Sequence, residues 1–274
     1  MNDRDPAALA SLAHRLLDDT DAILERYFAG EVETLHKADD TPVTIADREV
    51  EAFLRSRLGD AFPGHGFVGE EYGTEEGAGE MRWIIDPIDA TANFVRGIPV
   101  FATLLALERA GELVLGVVSA PALGRRWWAS VGGGAHVSAN GRRSAIRVSR
   151  IDQLAQAQLC HSTLRTLDEE GLLPGWLSAL RGSRRDRGFG DFWGHMLVAQ
   201  GSAEAMLEYG VSPWDMAAPA AILVEAGGRM TDFSGNSSWS GPEVLSSNGQ
   251  LHDDLLAALR TAPYTRPGQE ELTL

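Results

Sequence analysis

Apolar residues recur at helical spacing from the start of the chain. Leu9, Leu12, Ala13, Leu16, Leu17, Ile23, Leu24 and Tyr27 predict an amphipathic helix over 6–28. After Gly30 the stretch EVETLHKADD reads as a strand. Thr44 and Asp47 stand in the spacing of a capping box, and Val50, Phe53, Leu54 and Leu58 line one face of the helix behind it. A short strand over 66–69 runs into the pair Glu70-Glu71. Trp83, Ile84 and Ile85 read as a buried strand with Asp86 at its tip. Pro87 has no N–H to give a neighbouring strand, so the ladder is expected to stop there and the chain to turn, with Asp89 on the turn. Residues 100–107 and 113–119 predict two buried strands around the turn Ala110-Gly111, and the Asn140-Gly141 hairpin signal extends the sheet past Trp127-Trp128. Gly132 to Gly134 reads as a strand turn, since no phosphate-loop pattern surrounds it.

Near Arg150 the pattern changes to alternating helix and strand. The segment RGFGDFWGHMLVAQG is a glycine-bounded turn entering a helix with Met196, Leu197 and Ala199. Pro213-Trp214-Asp215 opens another helix, and Gly227-Gly228 closes it. The expected organisation is an α+β half over 1–150, an α/β half over 151–262 and a frayed tail over 263–274.

Charge narrows the partners. With 39 acidic against 24 basic residues the formal net charge is −15, which argues against nucleic acid and anionic membranes as ligands. The single Cys160 cannot form an internal disulfide and fits a reducing compartment. The opening residues lack an apolar signal core, and the longest apolar run is too short to span a bilayer. The expectation is a soluble, cytoplasmic protein.

The candidate chemistry lies in WIIDPIDATANFVRG, residues 83–97. Two carboxylates on a strand end and its turn can share hard cations, which prefer oxygen ligands, and the Ile88 carbonyl between them is a further available ligand. Ala90 to Asn93 is small and polar, with backbone amides that can hold an anion and a hydroxyl from Thr91. A lone DPxD would read as an ordinary Asp-rich turn. Here DPIDATANF resembles the DPxDGTxNF signature of the inositol monophosphatase superfamily, magnesium-dependent and lithium-sensitive phosphatases. GEE at 69–71 and WDMAA at 214–218 resemble the same superfamily's flanking blocks, in the same order.

The resemblance implies a layered α-β-α-β-α sandwich of the inositol monophosphatase and fructose-1,6-bisphosphatase type, and a homodimer. It makes Glu70 a metal ligand that also positions the attacking water, Asp215 a ligand of the second metal, and Glu208 a contact to the organic part of the substrate. With Asp86, Asp89 and the Ile88 carbonyl, these residues would hold two or three Mg²⁺ per site, because an all-oxygen donor set without His or Cys disfavours Zn²⁺. Asp47 and Thr91 form a pair suited to orienting water, while Asp89 and the Ala90 and Thr91 amides meet the phosphate. Asp47 and Asp215 also read simply as acids at helix N-termini.

Within the superfamily, RGFGDFWGHMLVAQG, GVVSAPALGRRWWAS and Arg96 look most like the bacterial histidinol-phosphate phosphatases. That small-molecule phosphate monoester carries an ammonium and an imidazole, for which Asp191 and Glu208 are partners, with Arg187 shaping the same wall. Asp191 reads equally as a helix N-cap after Gly190, and His65, His161 and His195 as surface or core residues. Ala90, Ala92 and Ile45 depart from the superfamily pattern without deleting a ligand. Two alternatives stand beside this reading: an inositol-1-monophosphatase or broad sugar phosphatase, and an inactive regulator that binds metal and phosphate.

Overall fold

The computed structural model describes residues 6–30, 34–36 and 42–260. The tail and most of the EVETLHKADD stretch lie outside these residues. In the first half the elements are α1 (Pro6–Phe28), β1 (Thr34–His36), β2 (Pro42–Thr44), α2 (Ile45–Ala61), β3 (Gly66–Gly69), β4 (Gly73–Glu75), β5 (Met81–Asp89), α3 (Thr91–Val95), β6 (Ala102–Arg109), β7 (Glu112–Ala120), β8 (Arg125–Ser130), β9 (Gly134–Ala139) and β10 (Arg142–Ile146). Then come β11 (Gln158–His161), α4 (Leu164–Glu169), α5 (Leu173–Gly182), β12 (Arg185–Arg187), α6 (Asp191–Ala199), β13 (Ala205–Tyr209), α7 (Pro213–Glu225), β14 (Arg229–Thr231), β15 (Glu243–Ser247) and α8 (His252–Arg260).

β1 and β2 form a small antiparallel pair. Eight strands form one sheet in the order β10-β9-β8-β7-β6-β5-β3-β4, and five form another in the order β12-β11-β13-β15-β14. Side-chain alternation along the strands sorts the core into three slabs. Trp83, Ile85, Leu105, Leu107 and Val117 face α1 and α2. Their neighbours Ile84, Leu104, Ala106 and Val118 face the other way, against α6, α7 and the second sheet. On the far side of that sheet Leu159, Leu207 and Leu245 pack with Trp176 of α5 and Leu255 of α8. The result is an α-β-α-β-α sandwich. No described helix is long and apolar enough to cross a membrane.

Because α7 lies between two sheets, it is apolar nearly all round: Met216, Ala217, Ala218, Pro219, Ala220, Ile222 and Leu223 are all buried. Its C-terminus is a Schellman cap, with Gly228 N–H on Leu223 O and Gly227 N–H on Val224 O, Gly227 having φ 86°. Gly116 of β7 lets the helix come close, for a Cβ there would sit 2.6 Å from the Ala218 carbonyl oxygen and 2.8 Å from Ala221 Cβ.

One expectation is corrected in β5. The ladder does not stop at Pro87. Asp86 pairs with Leu104 and Asp89 with Ala102, so β5 spends three residues where β6 spends two. This bulge accommodates the missing donor of Pro87, whose carbonyl accepts from Thr103 Oγ1 at 2.9 Å. It also has a consequence for the site. Residues three apart on a regular strand point to opposite faces, and the extra residue brings Asp86 and Asp89 to the same side.

Gly116→Ala is expected to destabilise the fold by about 1–3 kcal/mol, as overpacking of a tight core does, measured by urea denaturation. Unchanged stability would mean that α7 does not sit on β7 this closely.

Candidate active site

Asp86 and Asp89 meet Asp215, and one carboxylate oxygen from each lies within 4.8 Å of the others. The first sheet contributes two acids from the end of β5, and the middle helix layer contributes the third. Asp215 is the third residue of α7, and its Oδ2 accepts the Ser212 N–H at 2.7 Å, one half of a capping box. Asp89 Oδ2 accepts the Phe192 N–H at the start of α6, also at 2.7 Å. Two helix N-termini thus aim at one acid cluster, the favourable orientation for negative charge.

Asp86 is 1% exposed, and its Oδ1 is buried with no hydrogen-bond partner among the described residues. An unpartnered buried carboxylate oxygen is costly and marks a place for a cation. The electrostatics agree. Burial, then the charges of Glu70, Asp89 and Asp215, raise Asp86 well above the ordinary carboxylate range. Asp89 is raised likewise by burial, then by Asp191 and Asp215. Asp215 moves from 3.8 to about 7, chiefly through burial, with Glu70 and Glu208 adding repulsion. Positive charge entering a site of this kind favours its ionised form, and its all-oxygen donors fit a hard divalent cation.

Glu70 follows β3 and stands beside this cluster; its N–H donates to Ile85 O at 3.4 Å, and its charge acts on Asp86, Asp215 and Asp47. Behind it lies a residue absent from the sequence reading. Glu51 is fully buried on α2, with Oε2 accepting the Glu71 N–H at 2.7 Å and Oε1 accepting from Arg55 Nε at 2.8 Å and the Tyr72 N–H at 3.3 Å. Gly69 has no side chain because Glu51 fills the space: a Cβ would lie 2.0 Å from Glu51 Oε1. Glu51 grips the turn that carries Glu70. Its signal in the sequence is the spacing Asp47, Glu51, Arg55, which stacks an acid pair and a base on one helix face.

Asp47 is buried, and its two oxygens have separate partners. Oδ2 accepts both the backbone N–H and the hydroxyl of Thr44 at 2.7 Å, as the capping box predicts. Oδ1 lies 3.5 Å from Thr91 Oγ1, which is also 2.8 Å from the Ile88 carbonyl. Burial lifts Asp47 to about 7 against the lowering effect of the Thr44 bonds, with the charges of Glu70 and Glu71 assisting. Ala90 caps the short α3 with φ 65° and ψ 46°, a left-handed conformation that glycine adopts freely and alanine does not.

The wall from the second half differs from expectation in two respects. Asp191 does not cap α6. Gly190 holds that position without a side-chain bond, and Asp191 is the first helical residue, at φ 56°. Its N–H donates to Glu208 Oε1 at 3.1 Å, and burial with the charges of Glu208 and Asp215 lifts its carboxyl to about 7. His195 is no idle core residue, since its Nε2 lies 3.1 Å from Glu208 Oε2. Arg187 stands exposed on the edge strand β12, with its guanidinium donating to the Asp186 carbonyl at 2.7 Å.

Known proteins resemble this chain in sequence and in fold. The model of the inositol monophosphatase family matches residues 5–264. The chain belongs to that family. It is 44% identical over 254 residues to a histidinol-phosphatase of Streptomyces coelicolor, covering 90% of this chain and 95% of the relative. A histidinol-phosphatase of Mycobacterium tuberculosis is 42% identical over 250 residues, covering 90% and 96%. The crystal structure of the suppressor protein SuhB from Bartonella henselae superposes with a TM-score of 0.86 at 28% identity, covering 93% of this chain and 99% of that one. The protein is a phosphoric monoester hydrolase of a metal-dependent family, and the inactive-regulator reading falls away.

A pH dependence follows. Asp47, Asp191 and Asp215 rise from 3.8 to about 7 on folding, so their protonated forms favour the cation-free fold at low pH, and that contribution is lost as pH rises through about 7. A divalent cation binds the ionised forms and compensates over the same range. The rise in Tm on adding saturating divalent cation is therefore expected to be larger at about pH 7.5 than at about pH 5.5, read by thermal unfolding at both. An equal rise at the two pH values would contradict this electrostatic account.

Proposed function

We propose that this family member is a Mg²⁺-dependent histidinol-phosphate phosphatase, releasing L-histidinol and phosphate. The observation that carries the reading is the acidic wall beside the cluster. Asp191 and Glu208 face the space next to Asp89, where the leaving group of a phosphate ester would lie. Two carboxylates there, one buried and one half-buried, suit an ammonium and an imidazole, which form charge-assisted hydrogen bonds with them, better than the neutral hydroxyls of a polyol. The names of the two relatives point the same way.

In this reading Glu70, Asp86, Asp89, Asp215 and the Ile88 carbonyl would hold the cations. Bound there, divalent cations would supply positive charge for the phosphate and acidify a water, which this slow hydrolysis requires. The chain supplies the rest. The Ala90 and Thr91 amides receive phosphate oxygens at the start of α3, and the left-handed backbone at Ala90 sets their direction. The Thr91 hydroxyl donates to the Ile88 carbonyl at 2.8 Å with Asp47 Oδ1 3.5 Å away, and turning that proton toward Asp47 would leave a lone pair to accept from the attacking water. Asp47, with its other oxygen occupied by Thr44 and its pKa near 7, takes the proton through Thr91 as a relay.

The test is phosphate release from histidinol phosphate, inositol phosphates, sugar phosphates and phenyl phosphate, with EDTA and then with Mg²⁺. Chelation should abolish release and Mg²⁺ restore it, with histidinol phosphate the preferred substrate. Glu208→Gln should lower kcat/KM for histidinol phosphate about ten- to a hundredfold more than for phenyl phosphate, the value of one charge-assisted hydrogen bond. A preference for inositol phosphate would move the assignment to an inositol-1-monophosphatase, and activity without divalent cation would overturn the mechanism.

A further inference from the structure

His195 lies one helical turn after Asp191 on α6, so the two residues share a face of the helix. The imidazole is fully buried, with Nδ1 2.7 Å from Ser246 Oγ on β15 and Nε2 3.1 Å from Glu208 Oε2 on β13. The other oxygen of Glu208, Oε1, accepts the Asp191 N–H at 3.1 Å. Both oxygens of one carboxylate are therefore held by a single helix. An ionised carboxylate only accepts, so Nε2 carries the proton toward Glu208. The Ser246 hydroxyl, 2.7 Å from Nδ1, holds the other side of the ring and fixes its orientation toward Glu208.

Two glycines permit this arrangement. A Cβ on Gly190 would lie 2.7 Å from Ser162 Cβ and 2.9 Å from Glu208 Oε1. A Cβ on Gly194 would lie 2.4 Å from the sulfur of Met206. The start of α6 thus sits directly on β13 at Glu208, closer than any larger residue would let it. The left-handed backbone of Asp191, costly for a non-glycine residue, belongs to the same contact, because its N–H is the one that reaches Oε1.

We propose that the Ser246–His195 pair fixes Glu208 as an oriented carboxylate, which makes His195 a positioning residue for selection of a cationic leaving group. The inference deepens the histidinol-phosphate reading and rests on it. A glutamate free to rotate would lose side-chain entropy when it met the ammonium; a glutamate already clamped does not. The phosphate end of the substrate, held by other residues, has no part in this contact.

The experiment compares kcat/KM for histidinol phosphate and phenyl phosphate in the full-length enzyme with Mg²⁺, and reads their ratio. His195→Leu should lower the ratio about tenfold or more, the loss carried by KM for histidinol phosphate. His195→Gln, whose amide can donate from nearly the place of Nε2, should restore most of the ratio. A folded His195→Leu enzyme whose ratio stays at the wild-type value, or a His195→Gln ratio as low as that of His195→Leu, overturns the inference. If His195→Leu does not fold, Ser246→Ala decides: a fall in ratio of about threefold supports the clamp, and a wild-type ratio overturns it. A wild-type enzyme with no preference for histidinol phosphate overturns the substrate reading and this inference together. A preference that survives in folded His195→Leu overturns this inference alone.

Discussion

Asp86, Asp89 and Asp215 hold carboxylate oxygens within 4.8 Å of one another where water has little access, and Glu70, Asp47, Asp191 and Glu208 add charge of the same sign around them. Such a group opposes folding on its own, because desolvation and mutual repulsion both penalise the ionised forms. The fold therefore has to hold the acids together by means that do not depend on them. It does so with a middle helix layer locked between two sheets, and with backbone N–H groups from the starts of α6 and α7. The energy retained in that repulsion is what gives an entering cation its affinity.

Division of labour between the halves follows from the same constraint. The first sheet ends in a bulge that turns two acids to one side, and α2 brings Asp47 and the Glu51 grip on the Glu70 turn. The second half brings Asp215 to complete the cluster and then sets a different kind of acid, Glu208, a short distance away. Glu208 differs in having both oxygens engaged by donors within the protein. Asp86 instead keeps a buried oxygen with no such donor among the described residues. One carboxylate is left open and the other is closed. That contrast separates the candidate cation site from the acid proposed to meet the leaving group.

Much of this was legible in the sequence, for a physical reason in each case. The capping box at Thr44 and Asp47, the apolar faces of α1 and α2, and the Asn140-Gly141 hairpin are local, so spacing alone reveals them. The DPxD, GEE and WDxAA blocks are legible because each is a short contiguous pattern of acids that resembles a family signature. What escaped was non-local. Whether Pro87 ends a strand or sits in a bulge depends on the partner strand, here on Thr103 and Leu104. Asp191 read as a substrate partner and equally as an N-cap; the N-cap reading fails because Asp191 is the first helical residue, in a left-handed backbone with its N–H on Glu208. His195 is the core residue its surroundings suggested, but its link to Glu208 was not legible, and Glu51 drew no reading at all. Their partners are 13 and 20 residues away, on other elements.

The central claim is that Asp86, Asp89 and Asp215 form one cation site spanning the two halves of the fold. The most direct measurement is anomalous diffraction from crystals grown with Mn²⁺, which substitutes for Mg²⁺ on oxygen ligands and scatters anomalously. The account predicts an anomalous peak within about 2.5 Å of oxygens from both Asp86 and Asp89, and a peak contacting Asp215 in the same cavity. Mn²⁺ bound only elsewhere on this acidic surface, with the three carboxylates left without metal, would contradict it.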